Sequence, residues 1–158
     1  MIYKKSWKYI IIKNDSTDWW YNNEYFRIKS LKNFSNISKG DLGGFVKGFY
    51  NLSQSGDCWI YNKAKVTRRA QISEDARIYD YAIISDNAKV SGHAMVSKDA
   101  RITGDAQVLG NAHVYGNAKV TENAVVSGNA KVSGNALVRG KAQVCGFTRI
   151  SRFKIISE

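Results

Sequence analysis

From Ile60 to Ile156 an aliphatic residue returns at every sixth position without a slip, through Val66, Ile72, Ile78 and onward to Val138, Val144 and Ile150. Alanine stands two residues before most of them, from Ala64 through Ala142, and Gly-Asn or a relative fills the remaining interval, as at Gly110-Asn111 and Gly128-Asn129. A fixed short period constrains a chain more than its composition does, because each unit buries its apolar side only by stacking on its neighbours. Alanine and valine two apart point to the same side of a strand, and the residues between and after them point out. Gly-Asn and Gly-Asp supply sharp bends. The apolar spacing of three and four that a helix needs is absent. The period predicts an all-β solenoid of short strands and tight corners over residues 58–158.

On these residues the stretch resembles the hexapeptide repeat of left-handed parallel β-helices, in which three hexapeptides make one triangular coil. The left hand and the three-sided section are what the resemblance implies, since general crossover rules favour a right-handed connection. Five to six coils would then make a prism roughly 27 Å long at a strand spacing of ~4.8 Å. Alanine in the small inward slot and valine or isoleucine in the large one would fill it without a pore.

Residues 1–57 lack the period and are expected to form an N-terminal β cap leading into an irregular first coil. Lys8 to Lys13 and Tyr25 to Leu31 read as strands joined through the polar interval Asn14 to Glu24. Trp19, Trp20, Tyr21, Tyr25 and Phe26 offer a bulky apolar cluster to cover the open end of the solenoid. A ligand pocket built on the tryptophans is the alternative. Gly44-Phe45-Val46 and Tyr50-Asn51-Leu52 already imitate the repeat, yet Leu52 lies eight residues before Ile60, so two extra residues must be accommodated. No Gly-Lys-Ser/Thr follows Gly43-Gly44, which makes these glycines a turn signal rather than a phosphate loop. Gly-Asp-Leu-Gly-Gly-Phe-Val, Asn51-Leu52-Ser53 and Cys58-Trp59-Ile60-Tyr61 together resemble small transferase-like proteins carried by phages and prophages. That resemblance implies a mobile-element origin and no settled activity.

The net charge of +11 favours an anionic partner, with general solubility as the plain alternative. The run Tyr9-Ile10-Ile11-Ile12 is too short to span a membrane and no signal peptide is visible, so a cytoplasmic location, the host cell cytosol, is expected. Cys58 and Cys145 fall nearly five coils apart, on the order of 20 Å, beyond the reach of a disulfide. At the far end Thr148 and Lys154 replace alanine, and Phe147 and Phe153 take corners. Those rings could fold over the last coil or dock onto a second copy of the chain.

Many hexapeptide β-helix proteins are acyltransferases that use a histidine as general base beside an extruded loop. This chain has His93 in a corner slot and His113 in an outward slot, with no interruption of the period, so neither histidine is expected to be catalytic. Two histidines also cannot rebuild the three-histidine zinc site of the carbonic anhydrase branch. No cofactor, metal or enzymatic activity is expected.

Stacking in threes places residues eighteen apart on one face. One row becomes Trp59, Arg77, Met95, His113, Lys131 and Arg149, and its neighbour Tyr61, Tyr79, Ser97, Tyr115, Ser133 and Ser151. Aromatic rings interleaved with cations are what base stacking and phosphate neutralisation require, although tyrosines also stabilise a solvated strand surface. The remaining faces, with Lys65, Ile83, Arg101, Lys119 and Leu137 on one and Gln71, Lys89, Gln107, Val125 and Gln143 on the other, look less distinctive. The expected partner-binding residues are therefore Trp59, Tyr61, Arg77, Tyr79, His113, Tyr115, Lys131 and Arg149. The expected function is a non-catalytic platform that engages nucleic acid or a host nucleoprotein, such as a CRISPR complex. A hexapeptide acyltransferase or an assembly protein stands as the alternative.

Overall fold

The protein, as a computed structural model, is described over residues 7–12 and 25–158. Trp19, Trp20 and Tyr21 lie outside them, together with the interval read above as a connection. Two- and three-residue parallel strands recur at every sixth position and stack into three sheets, as a three-sided solenoid requires. From Trp59 onward the register is eighteen residues: Arg77 pairs with Met95, Arg101 with Lys119 and Gln107 with Val125. Every alanine from Ala64 to Ala142, and every sixth-position aliphatic residue from Ile60 to Ile150, is buried. Each buried valine or isoleucine contributes a gross ~1.5–3 kcal/mol. The column frays only at the end, where Ile156 is half-buried.

Between strands the chain turns through a left-handed residue at each sixth position, from Gly56 to Arg152. Several such positions are glycine for a second reason: a Cβ on Gly92 would come within 2.8 Å of the Gly110 backbone in the next coil. Others hold Glu74, Asp80, Asp86 or Glu122 at φ of 58° to 62°. Each of these carboxylates accepts a hydrogen bond from the corner N–H eighteen residues on, at Gly92, Lys98, Gly104 and Gly140 respectively.

The N-terminal segment is built onto one face of the solenoid. Strand β1 (Tyr9–Ile12) pairs antiparallel with β2 (Phe26–Ser30), and β2 with β3 (Leu42–Val46), after which β3 runs parallel to Lys65–Val66. This makes a nine-stranded sheet in which an antiparallel ribbon continues into a solenoid wall. Gly43 and Gly44 permit the junction, since a Cβ on Gly43 would meet Ile28 and lie 2.7 Å from the Ile60 carbonyl. The first coil is assembled from Phe45 and Val46, a single 3-10 turn at Phe49–Asn51, Leu52 bridged to Ile72, and Trp59–Ile60. In regular coils the corner comes two residues after the aliphatic residue, as Asn62 follows Ile60, but Gly56 follows Leu52 by four, which locates the two extra residues. Buried Asn51 fixes this coil: its Oδ1 accepts from Lys47 N and Gly48 N, and its Nδ2 donates to Arg68 O and Ala70 O.

The ribbon also completes a ladder that would otherwise stop. In the coils, carbonyls at the alanine and corner positions accept from the coil below, as Ala76 O does from Trp59 N and Glu74 O from Cys58 N. Cys58 O and Gly56 O hold the same positions in the lowest layer of the six-stranded sheet, and buried Lys8 takes the place of the missing donor. Its ammonium lies 2.9 Å from Cys58 O and 3.1 Å from Gly56 O. Tyr9 donates its hydroxyl to Leu52 O at 2.6 Å. Burial lowers the Lys8 pKa and raises that of the Cys58 thiol, whose sulfur is 3.3 Å from Lys8 Nζ. Both cysteines are free thiols, Cys58 buried and Cys145 exposed.

Candidate functional site

The six-stranded sheet stacks Trp59, Arg77, Met95, His113, Lys131 and Arg149 in a single parallel column. The neighbouring tyrosine and serine row is held by the same ladder, as Tyr79 N donates to Val96 O and Tyr115 N to Val132 O. All eight expected residues thus belong to one side of the prism, but they are not all available there.

Trp59 is 1% exposed, and its assignment as a partner-binding residue is corrected. Its side chain does point out of the prism, where Phe34 covers it edge-on at 5.4 Å and Tyr9 meets it at 6.2 Å. The same segment engages the next two positions. Asn36 Oδ1 accepts from the Tyr61 hydroxyl at 2.9 Å, and Arg77 donates to Ser35 Oγ at 3.1 Å. Tyr61 and Tyr79 stack face to face at 4.4 Å. Burial, followed by the neighbouring Tyr79, pushes the Tyr61 pKa up to about 12. The lower end of the face is therefore occupied by the chain itself.

What remains open is the upper part, with Tyr79, His113, Tyr115, Lys131 and Arg149. Tyr115 is 41% exposed, and its neighbours in the row are Ser97 and Ser133, so no other ring of the row stacks on it. Ser97 likewise leaves the far side of Tyr79 without a ring from the row. Among the described residues Lys131 and Arg149 take part in no ion pair, whereas Arg68 is paired with Asp86 at 2.8 Å. Desolvation, then the charge of Lys131, lowers the His113 pKa. At neutral pH His113 is a half-buried neutral side chain between Met95 and Lys131. His93 is exposed and lies 3.5 Å from the Asp75 carboxylate at a corner. Among the described residues no group of three or more histidine, cysteine, aspartate or glutamate side chains could hold a metal ion.

Sequence reasoning missed a second concentration of charge on the nine-stranded side. Arg27 from β2 lies over the Phe45 ring at 5.2 Å, next to Lys63, Lys65, Tyr81 and Arg101 from the coils. The repeat exposes Lys65 and Arg101 as one row, but Arg27 and Phe45 come from outside it. The signal within reach was the corner pair Lys63 and Tyr81, eighteen residues apart, with the ammonium 5.7 Å from the ring centroid.

These features define a class: a three-sided parallel β-solenoid with an antiparallel N-terminal ribbon and basic, aromatic outer rows. A family model described as the YdcK beta solenoid repeat matches residues 70–86, about one coil of the stack. No curated protein matches the chain. Among the described residues no helix is long and apolar enough to cross a membrane.

Proposed function

We propose that this chain is a non-catalytic binding platform for an anionic partner. The observation that carries the reading is the open upper part of the six-stranded face, where Lys131 and Arg149 stand in register beside the exposed ring of Tyr115. Cations without carboxylate partners among the described residues keep their charge for a ligand, and a ring on which no other ring of its row stacks is a place for a base. The +11 net charge acts in the same direction at long range. The resemblance of Gly40 to Tyr61 to phage-carried proteins supports a mobile-element origin, and on that ground the partner is a host nucleoprotein such as a CRISPR complex, met in the cytosol. A rigid prism suits that task because its rows keep their spacing without the partner.

The test is fluorescence anisotropy with a labelled single-stranded oligonucleotide at low salt. Tyr115→Ala should weaken binding by roughly 1 to 3 kcal/mol, the worth of one stacked base. Unchanged binding by Tyr115→Ala and by Lys131→Glu would remove this face from the account.

A further inference from the structure

We infer that the cleft of about 480 Å³ on the nine-stranded face, where the N-terminal ribbon joins the coils, is a second site, which takes a nucleotide: phosphate on its cations and base on Tyr81. The inference rests on the anionic-partner reading but uses a different face and different residues. Arg27, Lys63, Lys65 and Arg101 line the cleft, and Asp99 brings the one carboxylate among the described residues that line it. Lys65 lies 5.1 Å over the Tyr25 ring, and among the described lining residues Arg27, Lys63 and Arg101 are the cations that suit phosphate oxygens. Arg27 is held in place, since its Nε donates to Gly43 O at 3.0 Å while its guanidinium lies over Phe45. Half-buried Ile83 adds an apolar surface, and Tyr81, 58% exposed, presents a ring. A volume of this size lies in the range of small-molecule sites, which combine apolar surface with a few convergent polar groups. Sulfate-like anions would use only the cations; a nucleotide uses both halves.

The ribbon makes the site. Arg27 and Phe45 precede the repeat, Lys63 and Lys65 belong to one coil, Tyr81 and Ile83 to the next, and Asp99 and Arg101 to the one above. Coils alone would present a flat wall there.

The experiment measures binding of three probes at low salt: AMP, inorganic phosphate and a ten-residue oligothymidylate. Proteins are the wild type, Arg101→Glu, Tyr81→Ala and, as a reference on the other face, Lys131→Glu. All three positions are surface ones, and circular dichroism checks that each variant stays folded. AMP should bind more tightly than phosphate, and Arg101→Glu and Tyr81→Ala should each weaken AMP roughly tenfold or more, a larger loss than Lys131→Glu causes. Binding of AMP assigns the site to a free nucleotide. Binding of the oligonucleotide alone, with the same sensitivity to Arg101→Glu and Tyr81→Ala, assigns it to nucleic acid. Phosphate binding as tightly as AMP, or no probe responding to Arg101→Glu, overturns the inference. No AMP binding, with oligonucleotide binding lost in Lys131→Glu but kept in Arg101→Glu, overturns it while leaving the platform reading intact; failure of all probes overturns both.

Discussion

At a corner, a non-glycine residue in the left-handed region carries a backbone penalty of roughly 1–2 kcal/mol, which glycine avoids. Asp80 offsets it with the bond from its carboxylate to Lys98 N at 3.1 Å. Asp80→Ala should therefore lose about 1–2 kcal/mol in urea unfolding, because it keeps the strain and loses the acceptor. Asp80→Gly removes both and should lie within about 0.5 kcal/mol of the wild type. Equal losses would mean that the carboxylate contributes nothing. The eighteen-residue relation was readable in the sequence; the conformation that turns an acid toward the next amide was not. His113 supplies a pH test. Its folded pKa is below its ordinary value of 6.5, so the fold binds the proton less well than the unfolded chain and stability falls as pH drops below 6.5. An anion beside it reverses the preference, so affinity for an oligonucleotide should rise on acidification through this range, and His113→Gln should flatten that rise.

At the scale of elements, the inward pattern was legible because burial and period coincide. Val108 is buried and Gln107 beside it is half-exposed. Val108→Asp places an unpaired charge between coils and should cost several kcal/mol or unfold the protein, while Gln107→Lys should be nearly neutral in a thermal melt. The rows were legible for the same reason, and Trp59 was misjudged because its cover, Phe34, lies in a segment with no period to place it. The C-terminal rings show the limit from the other side: Phe147 and Phe153 do not fold over the last coil, being 83% and 81% exposed. The ribbon was expected as a cover for apolar surface, yet Lys8 and Tyr9 also supply donors to ladder carbonyls, which no hydrophobic pattern signals. Lys8→Met keeps the aliphatic stem and leaves Gly56 O and Cys58 O without that donor. Cys58 O is the buried acceptor of the two and Gly56 lies at the surface, so the substitution should cost about 1–3 kcal/mol in denaturant unfolding. An unchanged midpoint would mean that the ammonium is dispensable to the first coil.

For the whole molecule, a prism stacked at about 4.8 Å per coil converts distance in sequence into proximity on a face. Arg77, Lys131 and Arg149 span residues 77 to 149 and nevertheless share one column. Arg77 is also tied to Ser35, so Lys131 and Arg149 carry most of the open charge. Lys89, on the five-stranded side, is the control. The decisive measurement is the salt dependence of oligonucleotide binding, because each phosphate neutralised contributes about −0.7 to −0.9 to the slope of log affinity against log salt. The double variant Lys131→Glu, Arg149→Glu should lower the magnitude of that slope by more than one such contribution, and Lys89→Glu should leave it nearly unchanged. Equal slopes for the two variants, or affinity that does not depend on salt in the wild type, would contradict a phosphate-binding face.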